Sequence, residues 1–188
     1  MEENLILVDQ NDFPTGFAEK LLVHRQGLLH RAFSIFIFDL QGHLLLQQRA
    51  LTKYHSQGLW TNTCCGHPRQ GEEIGSAARR RLREEMGIEC DLAAVTQLLY
   101  HEQVSNQLIE HEYDHVFAGI YCQDPVANPD EAHAWQWLSL PEVSRLVNSA
   151  PDTFSVWFRR ILERHTVTGL RDWQTHAAAG AHSTTGFG

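Results

Sequence analysis

Apolar residues along the chain fall into short blocks with two different periods. Asn4 to Val8 reads as a short apolar strand, closed by the turn-forming run Asp9-Gln10-Asn11-Asp12 and by Pro14-Thr15-Gly16. A second element carries Glu19 to His24. Ala32 to Asp39 and Leu44 to Arg49 are two dense apolar strand candidates, and Leu40-Gln41-Gly42-His43 between them gives a hairpin spacing. From Ile74 to Met86 the period lengthens. Ile74, Ala78, Leu82 and Met86 recur every four residues with Ala77 beside them, while Arg and Glu fill the other positions, so this segment is predicted to be an amphipathic helix ended by Gly87.

Beyond that helix, Ala94 to Tyr100, Glu110 to Cys122 and Ala134 to Leu138 read as strands, divided by the polar segment His101 to Gln107 and by Asp124 to Asp130 with its two prolines. Leu140-Pro141-Glu142 opens a short helix, and Ser155 to Arg164 gives another. This order predicts an α/β or α+β domain, a mixed sheet sandwiched by helices. Residues 1–174 form that single domain. Thr175 to Gly188 is rich in Ala, Gly, Ser, Thr and His and is expected to be a mobile tail.

Composition narrows the field without choosing a function. With 188 residues, 43% hydrophobic and 20% charged, the chain supplies one core and resembles no disordered polymer. The formal net charge of −8 disfavours a broad nucleic-acid footprint while leaving room for a local basic pocket. No apolar run approaches the ~20 residues of a membrane span. The acidic start Met1-Glu2-Glu3-Asn4 lacks the basic and apolar regions of a signal peptide, so a cytoplasmic location is expected. Cys64, Cys65, Cys90 and Cys122 contain no CxxC pair and are expected to be reduced thiols.

The most informative segment is Gly66-His67-Pro68-Arg69-Gln70-Gly71-Glu72 with the helix that follows, Arg79-Arg80-Arg81-Leu82-Arg83-Glu84-Glu85-Met86-Gly87-Ile88. Glu72, Glu84 and Glu85 offer hard oxygen ligands of the kind Mg²⁺ takes together with a substrate phosphate. Arg80 with Glu84 and Arg81 with Glu85 also have the i,i+4 spacing of ordinary surface pairs, worth about 0.3–0.5 kcal/mol each. In register, Gly66, Glu72, Arg80, Leu82, Glu84, Glu85, Gly87 and Ile88 resemble the Nudix box. One position departs: where the hydrolases of that family place a Glu after the Arg, this chain has Arg81. The resemblance implies a Nudix-like fold, and the departure argues against hydrolysis.

Other chemistry lies outside the box. Were Thr63 to His67 extended, Thr63, Cys65 and His67 would share one face and Cys64 the other. A lone intracellular Cys is commonly a small buried apolar residue, and Cys65 is open to that reading as well as to a chemical one. Glu110 and Glu112 fall on one side of a strand, where like charges are unfavourable unless a cation or shared proton resolves them. His111 and His115, on the opposite side, read as surface residues. Gathered with His24, His30 and His67, the two carboxylates make a His₃Glu₂ set suited to a first-row divalent metal.

Taken together, Cys65-Gly66-His67-Pro68, Trp60-Thr61-Asn62, Glu110-His111-Glu112 and the altered box resemble the type I isopentenyl diphosphate isomerases, enzymes of isoprenoid biosynthesis. Pro14-Thr15-Gly16 with Glu19-Lys20, Arg49-Ala50-Leu51-Thr52-Lys53 and Phe154-Ser155-Val156-Trp157 extend the likeness from about Asn4 to Arg164. The resemblance implies interconversion of isopentenyl and dimethylallyl diphosphate, a small-molecule substrate, by proton addition on one face and removal from the other. It implies Cys65 and Glu112 as the proton carriers, Tyr100 as hydrogen-bond partner of the acid, and Trp157 as the ring beside the cationic carbon. It further implies a divalent ion (Mn²⁺, Zn²⁺ or Mg²⁺) on His24, His30, His67, Glu110 and Glu112. A second ion, Mg²⁺, is implied on Glu85 and the carbonyl of Cys65, with Lys20, Arg49, Lys53 and Arg81 around the diphosphate. A Nudix pyrophosphohydrolase and a non-catalytic Nudix-like binding module stand as the alternatives.

Overall fold

Among residues 4–104 and 107–183, which the computed structural model describes, nine strands form one mixed sheet organised around β3 (His30–Phe38). The sequence of β3 explains its central place. Phe33, Ile35 and Ile37 face one side while Phe36 and Phe38 face the other, and all five are at most 1% exposed. A strand that is apolar on both faces needs cover on both, since each such side chain stabilises by about 1.5–3 kcal/mol only when buried. Helix α2 (Ile74–Met86) covers the first face with Ala77, Ala78, Leu82 and Met86. The second face lies under α3 (Leu140–Ser149) and α4 (Val156–Ser183), through Val143, Trp157, Phe158, Ile161, Leu170 and Trp173.

β3 has partners from distant parts of the sequence. The edge ribbon β1 (Asn4–Val8) and β2 (Pro14–Glu19) joins it through Leu7 opposite His30. β4 (His43–Arg49) returns from it through the expected hairpin, Phe38 pairing Leu44, and binds β5 (Trp60–Thr61) and β9 (Ala132–Ser139). The short β6 (Cys64–Gly66) runs antiparallel to β3, with Cys65 opposite Ser34. β8 (Ile109–Ile120) runs parallel to β3, with Glu112 opposite His30, and β7 (Leu92–Gln103) lies antiparallel on β8, with Tyr100 opposite Glu112. These registers place His30, Glu112, Tyr100 and Cys65 around one region before any side-chain geometry is considered.

Helix α2 has the limits expected from its pattern. Glu73 caps its start by accepting from the amides of Gly75 (2.9 Å) and Ser76 (2.7 Å). Gly87 ends it at φ 65°, where an added Cβ would meet the carbonyl oxygen of Val126 at 2.7 Å. α3 begins on the Ser139 and Glu142 capping box with Pro141 in its first turn.

Two expectations are corrected, for Pro14-Thr15-Gly16 and for Thr175 onward, and two others gain detail. Pro14-Thr15-Gly16, read as punctuation, opens strand β2, and the element over Glu19 to His24 is a helix, α1 (Lys20–Gln26), capped by the Glu19 carboxylate. The expected helix over Ser155 to Arg164 is the first part of α4, which Thr166 breaks with φ 56° before a second helical segment runs on to Ser183. Thr175 to Ser183 therefore belongs to a helix. Leu170, Trp173 and Ala177, spaced three and four apart, give that segment an apolar face on the core, and a composition dominated by small residues hid it. Met1 to Glu3 and residues 184–188 of the expected tail lie outside the described residues. No described helix is long and apolar enough to cross a membrane.

Candidate active site

The site is a cavity of about 260 Å³ at the ends of β4, β6 and β8, closed by α1, the 50–58 turn and the start of α4. Lys20, Arg49, Lys53 and Arg81 line it, as do Glu85, Glu110, Glu112, Glu131, Cys65, His67 and Trp157. The four cations that the resemblance implied for phosphate therefore share one cavity. Each arrives from a different element: α1, β4, the following turn and α2. Tyr54, Trp157 and Cys65 supply its less polar wall.

The histidine and carboxylate set assembles beside this cavity. His24, His30, His67 and Glu110 each offer one ligand atom, and these atoms lie within 4.8 Å of one another. Glu112 joins through Oε1, 3.1 Å from His67 Nε2 and 3.5 Å from His30 Nε2. His24 Nδ1 donates to the Lys20 carbonyl (2.6 Å) and His30 Nδ1 to the Leu28 carbonyl (2.9 Å), which turns Nε2 of each ring toward the cluster. With Nδ1 as the donor of each ring, the buried Nε2 atoms and Oε2 of Glu110 face one another as acceptors without a hydrogen between them, His24 Nε2 lying 3.1 Å from Glu110 Oε2. Burying such atoms unpaired costs about 1–3 kcal/mol each. A divalent cation resolves all three, and backbone-oriented imidazoles are the arrangement metal sites use. Burial, outweighing the hydrogen bond with Glu112, also pushes His67 down to about 4, which keeps its imidazole neutral. The residues present fit such an ion.

Cys65 and Glu112, the residues for which the resemblance implies proton transfer, line the same cavity on different strands. Cys65 lies on β6 facing the α4 side, and its neighbour Cys64 packs under α2, as alternation required. The Cys65 thiol donates to Asn62 Oδ1 (3.2 Å), and Ser34 Oγ lies 3.8 Å from the sulfur. Asn62 is itself locked. Its amide donates to the carbonyls of Cys64 (2.9 Å) and Ile35 (3.2 Å), and its Oδ1 also accepts from Thr61, whose hydroxyl is bonded by Ser155. Burial first, and the nearby Asp114 second, push the Cys65 thiol up to about 12, so the sulfur stays protonated near neutrality. On β8, Glu112 accepts a hydrogen bond from the Tyr100 hydroxyl, which stands behind it. Burial, followed by the charge of Glu112, holds Tyr100 well above its ordinary range, so its hydroxyl remains a donor.

Helix α2 brings only part of its expected metal set to the cavity. Glu85 lines it, with Oε2 accepting from Gln47 (3.0 Å) and Oε1 bonded to Arg81. Glu72 turns away into a two-pronged pair with Arg80 (2.7 and 2.8 Å), and Glu84, bonded by Arg80 and Arg81, does not line the cavity. The expected convergence of Glu72, Glu84 and Glu85 is corrected on this point: two adjacent arginines draw two of the acids aside. Arg81 also reaches Glu131 (3.2 Å), a residue that the sequence reading passed over and that pairs with Lys53 as well. Trp157 lines the cavity and carries the Arg49 guanidinium 5.2 Å from its ring centre. The reading also missed His55, Ser34 and Asp114. For Asp114 a signal was present, since it continues the period-two series Glu110, Glu112 on β8.

Comparison with known proteins bears on this arrangement. The NUDIX domain family matches residues 28–163. A Photorhabdus laumondii protein named isopentenyl-diphosphate Delta-isomerase 2 is 52% identical over 174 residues, covering 93% of this chain and 98% of its own. A Serratia proteamaculans protein named isopentenyl-diphosphate Delta-isomerase is 50% identical over 179 residues, 95% and 100% of the two chains. The chain belongs to the isopentenyl-diphosphate Delta-isomerases of the NUDIX family. Solved structures agree on the fold alone. A Deinococcus radiodurans protein superposes with a TM-score of 0.67 at 20% identity, over 79% of this chain and 90% of that one. A MutT NUDIX hydrolase from Burkholderia pseudomallei does so at 0.57 and 20%, over 73% and 98%.

Proposed function

We infer that this chain interconverts isopentenyl and dimethylallyl diphosphate by moving one carbon–carbon double bond. The observation that carries the reading is that Cys65 and Glu112 line one cavity whose remaining wall holds Lys20, Arg49, Lys53 and Arg81. A five-carbon diphosphate has the matching shape: an anionic end for the cations and a short apolar end for the space between thiol and carboxylate. One carrier adds a proton to the alkene and the other removes a proton from the opposite face, so no water is consumed and the proton count is unchanged.

The residues divide that work. A thiol held neutral by burial is a proton donor rather than a nucleophile, and the Asn62 carbonyl sets its direction. Glu112, backed by the Tyr100 hydroxyl, handles the proton on the other face. Positive charge developing on the tertiary carbon meets the carboxylates and the Trp157 ring, a cation–π contact worth about 0.5–2 kcal/mol. His24, His30, His67, Glu110 and Glu112 would hold a Zn²⁺, Mn²⁺ or Mg²⁺ ion that fixes and acidifies the Glu112 carboxyl, and Glu85 with the Cys65 carbonyl would hold Mg²⁺ against the diphosphate. The four cysteines carry free thiols, which supports a reducing, cytoplasmic setting.

The test is incubation with isopentenyl diphosphate and Mg²⁺ in deuterated water, followed by NMR. Deuterium-labelled dimethylallyl diphosphate is the expected product. Release of inorganic phosphate or pyrophosphate would replace this reading with a hydrolase, and intact unlabelled substrate would replace it with a binding module.

A further inference from the structure

The two oxygens of Glu110 have different surroundings. Oε2 lies 3.1 Å from His24 Nε2 and 3.9 Å from His30 Nε2, within the cluster that fits an ion. Oε1 points to a residue outside that cluster, the ring of His55, whose Nε2 is 3.0 Å away. His55 is 3% exposed. A carboxylate oxygen only accepts, so the hydrogen on His55 Nε2 is given to Glu110, and Nδ1 lies 3.2 Å from the Ser56 hydroxyl, which can donate to it. Edge contacts with Tyr54 (4.3 Å between ring centres) and Trp157 (6.0 Å) fix the plane of the ring.

We propose that His55 is a positioning residue of the metal centre, holding Glu110 by Oε1 so that Oε2 alone reaches the ion. A carboxylate free to rotate presents either oxygen or both to a cation. One whose far oxygen is bonded to a rigid ring is restricted to a single-oxygen contact, which leaves room for the three imidazoles and Glu112 around one ion. Partners of this kind, one bond removed from the ion, typically change affinity by about 10- to 100-fold when lost. His55 also ties the centre to the cavity wall, because Trp157 touches its ring and Lys53, two residues earlier, lines the same cavity.

The inference rests on the reading of the histidine cluster as a divalent centre, and one titration separates the two. Zn²⁺ affinity of the full chain is measured by competition with a chromophoric chelator for the wild type, His55→Phe and His55→Gln, with circular dichroism checking the fold. His55→Phe keeps the ring packing and loses the donor. His55→Gln loses the ring and returns an N–H to the same place. The expected result is weakening of about 10- to 100-fold for His55→Phe and about threefold or less for His55→Gln. His55→Leu serves as the donorless variant should the Phe ring not fit. Equal affinity in wild type and the donorless variant overturns the inference, as does a His55→Gln affinity as poor as that of His55→Phe, which would make the role one of packing. A wild type that binds no Zn²⁺ overturns the centre itself.

Discussion

Replacing Arg81 by Gln tests how the altered box is held together. The guanidinium bonds Glu84 (2.9 Å), Glu85 and Glu131 (3.2 Å), and the Glu85 side chain is only 5% exposed. Removing one member of a buried pair costs about 3–5 kcal/mol, chiefly through the charge left unpaired. The Arg81 side chain is 22% exposed and Glu84 35%, so solvent screens part of that charge and the expected loss is about 2–3 kcal/mol. In a domain of this size each kcal/mol moves Tm by about 2–4 °C, which gives a drop of roughly 4–12 °C by calorimetry. Glu85 is then left with the Gln47 amide as its partner, while Glu84 keeps Arg80 and Glu131 keeps Lys53. Mg²⁺ at about 100 times its Kd stabilises by about 2.7 kcal/mol, so millimolar Mg²⁺ should recover most of the loss in the variant and raise wild-type Tm by less. A Tm within 1 °C of wild type, or the same Mg²⁺ response in both proteins, would refute this reasoning.

Two further substitutions probe the groups behind the sulfur. Asn62→Ala removes the acceptor that directs the Cys65 thiol while leaving the cations untouched. Steady-state kinetics should show kcat down about 100-fold with KM changed by less than about threefold, and a rise in KM alone would assign Asn62 to binding. Asp114 is buried, accepts from Ser34 Oγ (2.8 Å) and has Oδ1 unpartnered. Burial, then the charge of Glu112, raises its pKa well above the usual carboxylate value. The folded chain therefore keeps a proton that the unfolded chain has released, and stability falls as pH rises from the ordinary Asp range toward the raised value. Asp114→Asn should melt above wild type near pH 8, with the gap closing toward pH 4, near the unperturbed Asp value; a gap independent of pH would remove Asp114 as its source.

How much of this was legible in the sequence depended on the range of the interaction. Helix α2 was readable end to end, because its fourfold apolar repeat and the Gly87 stop are local. β3 was readable because a strand buried on both faces is a continuous apolar run. The long final helix was not, since the break at Thr166 and the small residues after it dilute the period that Leu170, Trp173 and Ala177 maintain. The short β5 and β6 carry too few residues for any period. Strand order was likewise out of reach. Nothing local says that β8 runs parallel to β3, yet that pairing sets Glu112 opposite His30. Many residues that line the cavity could still be named, because the resemblance supplied them as a set, and that is also why His55, outside its quoted motifs, escaped notice.

The placement of thiol and carboxylate on either side of the substrate is most directly tested by a crystal structure with Mg²⁺ and isopentyl diphosphate, the saturated analogue that cannot be protonated. The expected density shows the five-carbon chain lying between the Cys65 sulfur and the Glu112 carboxylate, with its phosphates against Lys20, Arg49, Lys53 and Arg81. A chain bound outside this cavity, or with both proton carriers on the same side of it, would contradict the mechanism.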